Sequence, residues 1–162
     1  MTALSQSWNL PMDIRRNDIS ALPAFAALNI AWISDLHVVE ASDQYMADHP
    51  ESYIQNSNSV FSIHIDGKVA GVCALKQDEN GEYELTKMAV DQKFQGRGLG
   101  KILMEAVEDY AQNEMGLTKI YLLSNTKNAA AIRLYKREGW TIFHEGPHPT
   151  YARCNIGMEK TL

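Results

Sequence analysis

The stretch Gln95-Gly96-Arg97-Gly98-Leu99-Gly100-Lys101 decides how this chain is read. It follows a β-rich run ending at Val90. It opens the clearest amphipathic pattern in the sequence, in which Leu99, Ile102, Leu103, Ala106, Val107 and Tyr110 recur at i, i+3, i+4, i+7, i+8 and i+11. That spacing gathers one apolar stripe and predicts a helix that Gly116 ends. Glycines let backbone N–H groups approach a ligand closely, and a helix start presents donors without intrahelical partners at the positive end of the dipole. Arg97 and Lys101 add cationic side chains. The turn therefore suits a pyrophosphate or another polyanion; a glycine turn used only for tight packing is the competing reading. Two familiar phosphate loops fail on residue identity. A Walker A loop needs glycine and a hydroxyl where Gln95 and Ile102 stand. The dinucleotide fingerprint needs glycine at Lys101 and a parallel βαβ unit.

Upstream, Val60–Ile65, Val69–Lys76 and Glu82–Val90 read as three strands joined at Asp66-Gly67 and Asn80-Gly81. Both dipeptides favour hairpin turns with positive φ at the two central positions, so this region is an antiparallel meander. Met12–Arg16 is a strand, and Asn17 and Asp18 are caps for a helix through Leu22–Ile33 that holds Pro23 in its first turn. Residues 35–58 show helical character near Gln44–Ala47 and a loop at Asn56–Ser59. Downstream come a strand at Lys119–Ser124 and a helix over Ala129–Glu138, capped by Asn128 and ended by Gly139. Strands at Trp140–Phe143 and Tyr151–Met158 flank a loop with Gly146, Pro147 and Pro149. The order predicts an α+β fold whose strands and helices share one sheet.

Composition bounds the function. A chain of 162 residues with 45% hydrophobic and 22% charged residues fits one globular domain spanning 1–162. Fifteen Lys plus Arg against twenty Asp plus Glu give a net charge of −5, with no basic run suited to nucleic acid or anionic lipid. Cys73 and Cys154 form no C-x-x-C pair and read as buried inert thiols, and the first twenty residues lack a signal-peptide pattern. The apolar run Ala21–Trp32 contains Pro23 and Asn29 and is shorter than the roughly 20 residues a membrane span needs. The expectation is a cytoplasmic protein. His144-Glu145-Gly146-Pro147-His148 satisfies the zinc-protease pattern, which works only on a helix; Gly146 and Pro147 place it in a loop, so no metal is expected.

What the decisive stretch does match is Q-x-x-G-x-G, and here the chain resembles the GNAT superfamily of acyl-CoA-dependent N-acetyltransferases. Glu84-Leu85-Thr86-Lys87-Met88-Ala89-Val90 resembles the family's fourth strand, Gln95 to Gly100 its pyrophosphate loop, and Asn125 through Trp140 its second signature. Tyr151 to Glu159 is similar to its last strand, whereas residues 1–58 match only in element order. The resemblance implies a mixed, twisted, mostly antiparallel sheet with helices on both faces. It implies acetyl-CoA as acyl donor and a primary amine as acceptor, a small molecule or amino acid attacking directly in a ternary complex, with a homodimer as the candidate assembly.

By position, the resemblance places the pyrophosphate on Gln95, Gly96, Arg97, Gly98, Leu99, Gly100 and Lys101. It pairs the pantetheine arm with Met88, Ala89 and Val90, one of whose amides faces the thioester carbonyl. Asn128 matches a pantetheine contact and Tyr135 the position near the sulfur that protonates the leaving thiolate; two helical turns apart, they share one helix face. Each has a plainer reading, Asn128 as an N-cap and Tyr135 as a core aromatic. Glu84 matches a general base used by some members, or is a solvated cross-strand charge. Tyr151 and Arg153 are candidate acceptor contacts, Arg153 as a carboxylate clamp or as a structural ion pair. Two other classes stay open: a CoA-binding sensor without turnover, and a protein-lysine or N-terminal acetyltransferase.

Overall fold

Residues 11–162 are described by a computed structural model. Their strands are β1 (Met12–Arg16), β2 (Ser59–Ile65), β3 (Lys68–Gln77), β4 (Tyr83–Val90), β5 (Lys119–Ser124), β6 (Thr141–Glu145) and β7 (Ile156–Thr161). They join into one sheet in the order β1-β2-β3-β4-β5-β7-β6. Every neighbouring pair is antiparallel except β4 with β5, which is parallel. The helices are α1 (Leu22–Leu36), α2 (Ala41–Asp48), α3 (Leu99–Asp109) and α4 (Ala129–Arg137).

Two apolar clusters cover the two faces. On one, Leu99, Leu103, Met104 and Val107 of α3 and Ile132 and Tyr135 of α4 pack on Phe61, Cys73, Leu85, Leu122 and Met158. On the other, Leu22, Phe25 and Ala26 of α1 and Met46 of α2 pack on Val60, Val72, Ala74 and Ala89. Burying each large aliphatic side chain contributes about 2 kcal/mol, so the stripe read along α3 fixes which way that helix faces. After Asp109 the helix widens into a π-helical turn, Tyr110–Glu114, and the helical run stops at the predicted glycine. Gly116 adopts φ +69 and the Leu117 N–H reaches back to the Ala111 carbonyl at 2.9 Å, absorbing a terminal acceptor.

Several boundaries differ from the sequence reading, each for a local reason. Asp66 and Gly67 take φ +51 and +77 as the hairpin requires, but at the second turn only Gly81 is positive, at +81. There Asp78 accepts from the N–H groups of Asn80 and Glu82, which widens the turn to Asp78–Glu82. Asn17 does not cap α1; its Oδ1 accepts from the Val60 N–H, while Asp18 caps a short 3-10 turn at Ile19–Ala21. The last strand begins at Ile156 rather than Tyr151, because Cys154 N–H is spent on the Tyr151 carbonyl and His148 N–H on the Cys154 carbonyl. Ile19–Leu36 forms a continuous helical stretch of 18 residues, long and apolar enough to cross a membrane by those measures, so the run is longer than Ala21–Trp32 suggests. Its Leu22, Phe25, Ala26, Asn29 and Ile33 are buried inside the protein.

Residues 35–58, opaque in sequence, supply α2 and a 3-10 turn at Pro50–Ile54. Here lies Asp43, wholly buried. Its carboxylate accepts from the Glu40 N–H at 2.8 Å and from both terminal nitrogens of Arg153 at 2.7 and 2.5 Å, with the Lys87 ammonium at 3.6 Å. Burial opposes its ionisation, yet the Arg153 bonds and the neighbouring charges hold the carboxyl below its ordinary range. The cluster ties α2, β4 and the loop before β7 together. Removing one partner of a buried pair leaves the others uncompensated, so Asp43→Asn is expected to lower the unfolding free energy by about 3 kcal/mol in urea titrations. A loss under about 1 kcal/mol, the size of an exposed pair, would show that the cluster does not brace the fold.

Candidate active site

The sheet forks between β4 and β5. One residue pair joins them, Glu84 with Tyr121, at the start of β4; beyond it β4 keeps β3 on one side and is open on the other. The register against β3 also slips. Val72 faces Ala89 and Ala74 faces Thr86, so Cys73 alone stands opposite Lys87 and Met88. Lys87 absorbs the extra residue with φ +56, a left-handed conformation uncommon for a residue with a Cβ. The bulge exchanges the faces of the strand. Leu85 belongs to the α3–α4 cluster and Ala89 to the α1–α2 cluster, although even spacing puts them on one face of a regular strand. The Lys87 carbonyl accepts from Asn29 Nδ2 at 3.1 Å, and its ammonium points at Asp43.

The glycine turn follows directly. Gly96 and Gly98 adopt φ +79 and +76, and a Cβ built on either would meet nothing within 4 Å. At these positions glycine serves the backbone conformation and leaves the approach open. Gly98 is the N-cap of α3 and brings no side-chain cap, so the first-turn N–H groups of that helix face outward unpaired by a cap. Gly100 answers to packing instead: a Cβ there would lie 3.2 Å from Leu134 Cδ2 and 3.7 Å from Met88 Sδ. The turn, β4 and α4 meet at that point. Gln95 donates to the Val90 carbonyl, Arg97 lies over the Phe94 ring, and Lys101 is shared between Glu105 and Glu138.

Asn128 opens α4, but its side chain makes no cap bond. Its Oδ1 is buried without a hydrogen-bond partner and its Nδ2 has only Ser124 Oγ, at 3.5 Å. Asn128 therefore does not cap the helix with its side chain; its Oδ1 is a buried acceptor that a ligand donor would satisfy. Tyr135 sits two turns further along α4, buried beside Trp140, and its burial, with Cys73 near, pushes the phenol up to about 12. It keeps its proton at any working pH.

Glu84 faces away from that cluster, since its neighbour Leu85 faces into it. It is half-buried, and burial pushes its carboxyl up to about 7 against the pull of Lys87 and Lys76. Tyr151 is close enough that Glu84 raises its phenol further, after burial. Arg153, the candidate carboxylate clamp, has both terminal nitrogens taken by Asp43, so it is the structural ion pair and not a free clamp. His144 and Glu145 end β6, and His148 lies in the following loop, where its Nδ1 accepts from the N–H groups of Thr150 and Tyr151. No helix carries that motif. Sequence reading missed Asn29, Asp43 and Lys87. A lone Asn inside an apolar helix was the one available signal; the other two are defined by tertiary contacts.

The comparisons agree with this architecture. The profile of the acetyltransferase (GNAT) family matches residues 26–140. Rat N-acetylaspartate synthetase is 31% identical over 119 residues, covering 72% of this chain and 40% of the relative. The chain thus spans about two fifths of the length of that relative. Bacillus subtilis spermine/spermidine N(1)-acetyltransferase is 23% identical over 133 residues, 70% of this chain and 88% of the relative. A GNAT-family acetyltransferase structure from Staphylococcus aureus superposes with a TM-score of 0.81 at 19% identity, covering 94% of this chain and 99% of that one. Spermidine N-acetyltransferase from Vibrio cholerae, in complex with CoA and spermine, gives 0.72 at 19% identity over 93% and 95%. With its forked sheet, bulged fourth strand and glycine turn, the chain belongs to the GNAT acetyltransferase family.

Because the space above Gly98 is empty and its φ is positive, Gly98→Val strains the turn and fills the approach without disturbing a packed contact. The expected result is a folded protein that no longer binds CoA in calorimetric titration. CoA affinity retained within about threefold would place the pyrophosphate elsewhere.

Proposed function

We propose that this chain transfers the acetyl group of acetyl-CoA to a primary amine of a small molecule or amino acid. The observation that carries this reading is the fork itself. It puts a half-buried carboxylate, Glu84, on one face of β4, and a buried unpartnered acceptor and a phenol, Asn128 and Tyr135, on the helix covering the other. The glycine turn would hold the pyrophosphate on its outward N–H groups, and Asn128 Oδ1 would accept from an amide of the pantetheine arm. Acetyl-CoA, when bound, supplies an activated acyl group and a thiolate as leaving group.

The chain's own residues then do three things. Glu84 removes a proton from the incoming ammonium; a carboxyl raised to about 7 is half-ionised near neutrality and is a far better base there than an ordinary carboxylate. A backbone N–H of the Met88–Val90 segment, on the open side of the fork, donates to the carbonyl oxygen as negative charge develops on it. Tyr135, protonated until the C–S bond breaks, gives its proton to the departing sulfur and recovers one from the nitrogen, which sheds its second proton as the amide forms. The free, buried thiols of Cys73 and Cys154 support a reducing, cytoplasmic setting.

Thiol release across a panel of amino acids, polyamines and peptide N-termini tests the reading; CoA binding with no turnover on any amine would favour the sensor. Glu84 works only when ionised, so kcat/KM should rise with pH and level off above about 7. Glu84→Gln should lower the plateau by roughly a hundredfold and erase that inflection. An inflection that survives the substitution assigns the base to another group. Tyr135→Phe should lower kcat by about ten- to a hundredfold with acetyl-CoA affinity nearly unchanged, because the ring stays. An unchanged kcat under rate-limiting chemistry would make Tyr135 a packing residue.

A further inference from the structure

Asn29 is a polar side chain with no exposed surface in a helix that is otherwise apolar from Leu22 to Ile33. Such a group is tolerated when its hydrogen bonds are met, and here they are met in a directed way. Its Oδ1 accepts from Trp32 Nε1 at 3.0 Å and its Nδ2 donates to the Phe25 carbonyl at 2.9 Å, both within α1. These two bonds fix the rotamer. The second bond of Nδ2 leaves the helix and reaches the Lys87 carbonyl, 58 positions away, at 3.1 Å.

Lys87 is the left-handed residue of the bulge, and the described residues contain no cis peptide bond. In a planar trans peptide the carbonyl and the following N–H point in opposite directions. Holding the Lys87 carbonyl toward α1 therefore directs the Met88 N–H away from it. That is the face of the α3–α4 cluster, against which the Met88 side chain packs. The Lys87 side chain is held as well, through Asp43 of α2. With its carbonyl and its ammonium both tethered, the 87–88 peptide has one orientation.

We infer that Asn29 is a positioning residue: through the Lys87 carbonyl it aims the Met88 N–H that receives the charge developing on the acyl oxygen. This rests on the acetyl-transfer reading above and narrows its donor from the Met88–Val90 segment to one amide. A donor that must stabilise charge has to be oriented before the charge appears, since reorienting it during the reaction raises the barrier. Asn29 makes no contact with the substrates in this scheme.

The test compares wild type with Asn29→Leu and with the smaller Asn29→Ala, both checked for folding by their thermal transitions. The infrared stretch of a carbon-13-labelled thioester carbonyl reads polarisation of bound acetyl-CoA directly. In wild type it should move to lower wavenumber on binding, and in the variants that shift should shrink. Turnover should fall about ten- to a hundredfold, while the affinity for CoA, which has no acyl oxygen, stays within about threefold. A folded variant that keeps the full shift, or loses turnover with the shift intact, overturns the role of Asn29. No shift in wild type would instead remove the backbone donor itself, and with it this inference, while leaving acetyl transfer to be judged by thiol release.

Discussion

A strand at the centre of a sheet has its backbone committed to its neighbours, so it can lend main-chain donors to a ligand only where the ladder is broken. In this protein the break is made at Lys87. A left-handed residue there puts two residues opposite Cys73, and the rest of the architecture follows from it. The faces of β4 exchange, which sends Leu85 into one core and Ala89 into the other. β5 pairs with β4 once and then departs, leaving the edge from Met88 to Val90 open. The strained residue is held from three elements: Asn29 of α1 at its carbonyl, Asp43 of α2 at its ammonium, and Arg153 on the same carboxylate from the loop before β7. Strain of this kind persists only where the surroundings over-determine it.

The same braces separate two carboxylates by environment. Asp43 is fully buried but carries a bidentate guanidinium and a backbone N–H, and stays ionised. Glu84 is partly buried, with Lys76 opposite it on β3 and Lys87 further along β4 but no such clamp, and burial moves it toward neutrality. On the proposed reaction this divides them, Asp43 to structural work and Glu84 to chemical work. Arg153 falls on the structural side.

What was legible in the sequence is what local conformation dictates. The glycine turn could be read because Gly96 and Gly98 both need positive φ; the helix after it because Leu103 and Val107 recur with its period; the first hairpin because Asp66-Gly67 closes it. Asn128 and Tyr135 could be placed on one face of α4 because they stand two helical turns apart. The brace around Lys87 was hidden. The N-cap of α2 is Glu40, a poor capping residue by type, which forms a capping box with Asp43. The value of Asp43 depends on Arg153, which is 110 positions away, and the strain at Lys87 leaves no mark on a β-rich run. Tyr151–Asn155 looked like strand because Cys154 and Ile156 are apolar, yet the side chain of Asn155 is committed to Thr126 and the N–H of Cys154 to Tyr151.

On the proposed function, the bulged, forked β4 and the glycine turn after it form one continuous acyl-donor site. Amide chemical-shift mapping of the nitrogen-15-labelled protein during titration with acetyl-CoA tests it most directly. The largest changes should trace one path, from Gly96, Gly98 and Gly100 through Met88–Val90 to Asn128, while His144–His148 stay unmoved. Changes confined to the outer face of α1, or spread over β6 with β4 silent, would contradict it.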